Sequence, residues 1–100
     1  MKLIEAVINR LKLEEVRYAL DEIGVDDFME SDVITHSQQK GQVMIFRGAR
    51  FLVNLVEKVK LEIIAADDSV EKIVEVISSI ARTESKEDCR MAIRPYLEAI

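Results

Sequence analysis

The chain has 100 residues, 49% of them hydrophobic and 33% charged, and a formal net charge of -5. That composition fits one folded domain and lies outside the disordered range, and its acidic balance weighs against nucleic acid or an anionic membrane as a partner. One cysteine, Cys89, and one histidine, His36, leave no internal disulfide and no Cys/His zinc cluster, and no run approaches the roughly 20 apolar residues of a membrane span.

The N-terminal apolar run is interrupted by Glu5, so it does not read as a signal-peptide core, and a cytoplasmic location is expected. Residues 3–8 read as a buried strand. Leu13, Val16, Leu20 and Ile23 then recur at spacings of three and four, with Glu14 and Glu15 in the first turn and Gly24 placed to end a helix. Residues 28–36 can form a strand that returns from that helix.

The next stretch, 37–55, is long for a connection inside a compact domain, and connections of this length are usually functional. Between Val33 and Val56 there is no Asp or Glu, although the chain carries 19, whereas Lys40, Arg47 and Arg50 all fall inside. Two apolar clusters, 43–46 and 51–53, can pair as a short hairpin around Arg47, Gly48 and Ala49. An acidic protein has kept one basic, partly apolar projection.

The second half repeats the plan of the first. Val59, Leu61 and Ile63 alternate with Lys58, Lys60 and Glu62, which predicts a strand with one buried face. A helix is expected from Asp68, where Asp68 and Glu71 have capping-box spacing and Val70, Ile73, Val74, Ile77 and Ile80 form the apolar stripe. Residues 90–94 can form a last strand, stopped by Pro95. The result is an α+β fold, a ferredoxin-like βαββαβ sandwich over residues 1–100 with both helices on one sheet face. The other face, with Lys58, Lys60 and Glu62 among apolar neighbours, suits a wet subunit interface and predicts a homo-oligomer.

Smaller signals have plain readings. Lys58 and Lys60 by themselves read as a solvated or interfacial strand face, and His36 as a surface or loop side chain without partners for a metal. Cys89 reads as a small loop residue whose pKa Arg90 could lower modestly, with redox sensing the minor reading. Glu84, Glu87 and Asp88 read as a solvated acidic turn, with a cation site there the speculative alternative.

Taken in order, the segments MKLIEAVI, LKLEEVRYALDEIG, QKGQ, FRGARF, EKVKLEIIAADD and the closing Ala81, Arg82 and Thr83 resemble the PII nitrogen-regulatory signal proteins, without a gap from Met1 to about Ala99. The resemblance implies a homotrimer in which each subunit projects a T-loop, here residues 37–55, toward a transporter or metabolic enzyme. It implies ATP or ADP in the clefts between subunits, with 2-oxoglutarate joining through Mg-ATP. It also implies roles. Gln39 matches the glutamine that helps hold the magnesium, Lys58 the lysine that pairs with a 2-oxoglutarate carboxylate, and Glu62 an acidic strand residue near the nucleotide. Thr83 opens the phosphate loop, here 83–90, and Arg90 replaces the lysine at its end. Arg47 matches the loop-tip arginine, and Lys40, Phe46, Arg50 and Phe51 complete the expected partner-binding loop.

Departures from the family pattern cut against nucleotide binding of the usual kind. The glycines of the phosphate loop are replaced in the run Thr83, Glu84, Ser85, Lys86, Glu87, Asp88, Cys89, Arg90, which removes the permissive backbone geometry that phosphate contact uses. Glu84 and Glu87 add anions beside an anion site, where unit charges about 4 Å apart at an effective dielectric of ~20 repel by roughly 4 kcal/mol before solvent screening. The sequence also stops at Ile100, before the family's Arg-x-Arg pair. Phe51 stands where many bacterial members carry the tyrosine that is uridylylated, Ser37 replaces a glycine at the base of the loop, and Met44, Arg50 and Asn54 replace acids common there. The expectation is a regulator with a weakened or altered nucleotide and 2-oxoglutarate site. The alternative is an interaction-only scaffold of the same fold that no longer senses ATP or ADP. An enzyme is the weakest reading, since no nucleophile-base pair, metal cluster or convergent acid pair is present, and an RNA-binding sheet would need an aromatic platform.

Overall fold

The computed structural model describes residues 1–36, 42–46, 49–53, 55–83 and 88–97. Its elements are β1 (Lys2–Asn9), α1 (Leu13–Glu22), β2 (Met29–His36), β3 (Gln42–Phe46), β4 (Ala49–Val53), β5 (Leu55–Ala65), α2 (Val70–Ala81) and β6 (Cys89–Pro95). β1, β2, β5 and β6 form an antiparallel sheet in the order β2-β5-β1-β6, which is the ferredoxin-like arrangement the alternating halves predict. The hairpin read from 43–46 and 51–53 is present as β3 paired with β4, from Gln42 opposite Val53 to Phe46 opposite Ala49.

The alternation in β1 and β5 decides which side is core. Ile4, Ala6 and Ile8 from β1 and Val59, Leu61, Ile63 and Ala65 from β5 are buried together with Leu13, Val16 and Leu20 of α1 and Ile73, Ile77 and Ala81 of α2. α1 stops where expected. Gly24 takes φ +82, and the Val25 N–H reaches back to the Leu20 carbonyl (2.9 Å) while the Gly24 N–H reaches Asp21 (3.0 Å), a left-handed cap that a side chain at Gly24 would strain.

The start of α2 corrects the sequence reading. The chain makes a 3-10 turn over Asp67–Ser69 before α2 begins at Val70, and no side chain caps the helix. Asp67 faces the N-terminal ammonium at 3.1 Å, and the turn is closed by the Ser69 N–H on the Ala66 carbonyl. The capping-box spacing of Asp68 and Glu71 therefore has no matching hydrogen bond.

The edge strand β2 is fastened to the helix side by charge instead of by apolar packing. Glu30 and Asp32 pair with Leu61 and Val59, so they share the helix-facing side of the sheet. Arg17 of α1 donates to both carboxylate oxygens of Glu30, Nε to Oε1 at 2.7 Å and Nη2 to Oε2 at 2.5 Å, and to Glu14 at 2.6 Å. That hydrogen-bonded guanidinium holds the Glu30 carboxyl below its ordinary value of 4.5. The pair's contribution is therefore complete above about pH 4.5 and disappears as pH falls through the lowered value. Glu30→Gln should cost about 0.5–1 kcal/mol near neutral pH and progressively less as the pH falls below 4.5, which urea unfolding across pH would measure.

Candidate functional site

The open face of the sheet carries three of the residues singled out in the sequence. Lys58 lies on β5 opposite Asn9 and Val33, Glu62 opposite Glu5 and Met29, and Arg90 on β6 opposite Val7. Rows across the sheet thus run Lys60, Val7, Arg90, then Glu62, Glu5, Ala92, then Ile64, Leu3, Arg94. Glu5 and Glu62 are like charges directly opposite each other, an unfavourable pair by itself. The face answers with cations: Arg94 Nη1 is 3.1 Å from Glu5 Oε1, and Lys60 Nζ is 3.8 Å from Glu62 Oε1. Its charges are matched in place, and between them stand Leu3, Val7, Ile64 and Met29.

Lys58 differs from the reading of a solvated or interfacial strand face. It is only 6% exposed within one chain. It is flanked on the sheet by Asn9, whose side-chain oxygen accepts the Leu11 N–H (3.0 Å) as the chain leaves β1, and by Val33 of β2. A recess of about 230 Å³ lies here, lined by Lys58, Glu57, Arg10, Asp32, Val33 and Ile34.

Thr83 and Arg90 bracket the second candidate region. The Thr83 hydroxyl donates to the Asp88 carboxylate, which closes the loop between α2 and β6. Residues 84–87, with the Glu84 and Glu87 of the charge argument, lie outside the described residues. Cys89 is not a loop residue. It opens β6 opposite Ile8 and packs against the core, and burial pushes its thiol up, with Arg82 and Lys58 as the opposing positive charges. The expected lowering by Arg90 is overturned, because the thiol faces the apolar side while the exposed Arg90 sits on the other parity of the strand.

Of the partner-loop residues, Phe46 ends β3, and Arg50 and Phe51 lie on β4 opposite Ile45 and Met44. Gln39, Lys40 and Arg47 lie outside the described residues. The structure therefore joins Lys58, Glu62 and Arg90 on one face, and puts Thr83 on the approach to β6. Sequence reading passed over Arg10, Asp32, Arg17 and Glu30. The available signal was two carboxylates at helix-facing positions of a strand, which need cationic partners.

The sequence has counterparts among known proteins. The family model for nitrogen regulatory protein P-II matches residues 1–93. The chain belongs to the P-II family. It is similar to nitrogen regulatory protein P-II of Cereibacter sphaeroides, 42% identical over the whole chain and 89% of that protein. It is 35% identical to the P-II protein of Azospirillum brasilense with the same coverage. It is 37% identical over 83 residues to nitrogen regulatory protein GlnK of Escherichia coli K12, covering 83% of this chain and 74% of that one. The open face, the β2-β5 ladder and the β3-β4 hairpin described above are thus parts of a P-II fold. Among the described residues, no helix of this P-II chain is long and apolar enough to cross a membrane, and no group of three or more His, Cys, Asp or Glu is placed to hold a metal.

Proposed function

We propose that this P-II family protein is a cytoplasmic signal-transduction regulator that acts by protein contact through residues 37–55 on a transporter or metabolic enzyme of nitrogen or carbon metabolism. It works as a homotrimer joined through the open sheet face and carries no catalysis of its own. The observation that carries the reading is the β2-β5 ladder leading into the acid-free hairpin β3-β4, with Arg50 and Phe51 on β4. A net-acidic chain that keeps a basic, apolar hairpin in this position offers it to a partner.

The effector side of the mechanism is a population shift. A ligand redirects the loop only as far as it binds one loop state better than another. Lys58, Glu62, Thr83 and Arg90 are the residues that ATP or ADP, and 2-oxoglutarate with magnesium, would use, together with Gln39. Lys58 and Arg90 supply the cations, while Glu84 and Glu87 oppose phosphate, so nucleotide affinity is weakened relative to the family. The same acids favour the second reading, an interaction-only scaffold that has stopped sensing nucleotide.

Reversing the loop charge tests the contact. With Arg47→Glu and Arg50→Glu combined, partners captured from lysate by the wild-type chain should be lost by at least tenfold, while the mass in light scattering stays that of the wild type. Unchanged capture would sink the loop as the contact surface.

A further inference from the structure

The sheet is not equally deep along its length. β1 ends with Asn9 opposite Lys58, whereas the β2-β5 ladder continues through Ile34 opposite Glu57 and Thr35 opposite Val56 to His36 opposite Leu55. Those last three pairs form a two-stranded ribbon beyond the end of β1. A two-stranded ribbon without a third strand is marginal in itself and twists easily, so its direction depends on what holds its root. At that root Arg10, in the turn that follows Asn9, forms an ion pair through Nη2 with Asp32 Oδ1, one register pair inside Val33 and Lys58. The 230 Å³ recess straddles the same point, with Ile34 and Glu57 of the ribbon on one side and Arg10 of the body on the other. Arg10 and Asp32, the two members of the ion pair, both line it.

We infer that Arg10 and Asp32 are positioning residues for the projecting ribbon, fixing the angle at which it carries residues 37–55. The assignment is specific to the root. Arg17 and Glu30, the neighbouring ion pair, tie β2 to α1 two residues farther into the body, in the row of Leu61 and Ala6, whereas Asp32 stands in the row of Val59 and Ile8, one pair before β1 ends at Asn9. A swing at the root changes the direction in which the ribbon leaves the body without breaking any pair in the four-stranded part. Its consequence for regulation rests on the partner-loop reading above; its effect on the ribbon does not.

Amide hydrogen exchange by NMR on the full chain tests it. Arg10→Gln and Asp32→Asn should each speed exchange at residues 34–36 and 55–57 by about threefold, the factor an exposed ion pair commands, and leave residues 4–8 and 59–63 unchanged. Glu30→Gln should leave the ribbon rates at wild-type values. The charge swap Arg10→Asp with Asp32→Arg should return the ribbon toward wild type, which general destabilisation would not do. Ribbon rates unmoved by both single variants, an equal acceleration throughout the sheet, or no recovery in the swap would overturn the assignment. If these exchange results hold while the wild-type loop captures no partner, the regulatory reading falls and the positioning role stands.

Discussion

Ile64→Glu is expected to leave the chain folded and to stop it assembling, so that light scattering returns the mass of one 11.4 kDa chain instead of three. Ile64 points away from the helices and is 43% exposed in a single chain, with Leu3 opposite it and Met29, 62% exposed, on the same face. A carboxylate there costs little in a monomer, where water reaches it. In the proposed trimer it would be desolvated once per subunit, on a face whose nearest cations already have partners in Glu5 and Glu62. Desolvating an unpaired charge costs several kcal/mol per site, and a symmetric trimer would incur that cost three times. A trimeric mass for the folded variant would move the subunit contact off this face.

Leu61→Ala has the largest expected effect on folding itself. Leu61 is 0% exposed, sits on the central strand β5 opposite Ala6 and Glu30, and is part of the cluster that includes Ile4, Leu20 and Ile77. Its opposite number on β1 is the small Ala6, and on β2 the Glu30 carboxylate is held by Arg17, so neither cross-strand partner is placed to fill the space. The cost should fall in the range of about 2–5 kcal/mol for a leucine truncated in a core that relaxes only partly. Marginal stability makes that a large share of the total, so the urea midpoint should drop steeply at constant slope. A loss under about 1 kcal/mol would mean that α1 and α2 close over the gap.

Most of the fold was legible because it rests on local pattern. Alternation over 59–63 fixed the core side of β5, and Gly24 marked the end of α1 because only its backbone takes the left-handed cap without strain. The misreadings all come from contacts distant in sequence. Asp67 lies near the N-terminal ammonium, and no capping bond forms at α2; Lys58 is buried on a strand between Asn9 and Val33; Cys89 is raised by burial where the sheet sets it beside Ile8. The ion pairs from Arg10 to Asp32 and from Arg17 to Glu30 span 22 and 13 residues, and no spacing rule connects them. The candidate site was legible in its residue types and through the family pattern, yet its arrangement on one open face followed only once β1 was seen between β5 and β6.

The proposed function rests on a contrast between two parts of the chain. The stretch between Val33 and Val56 is free of acids and carries Arg47, Arg50 and Phe51, while the run from Thr83 to Arg90 contains no glycine and carries Glu84 and Glu87. Thr83 spends its hydroxyl on Asp88, and Arg90 remains as the cation at the far end. The account therefore predicts a protein whose output surface is maintained and whose nucleotide site is weakened. Isothermal titration of the purified protein with ATP, ADP and 2-oxoglutarate tests this most directly. The prediction is no heat of binding at micromolar nucleotide, in the presence or absence of magnesium; saturable micromolar binding of ATP or ADP would contradict it.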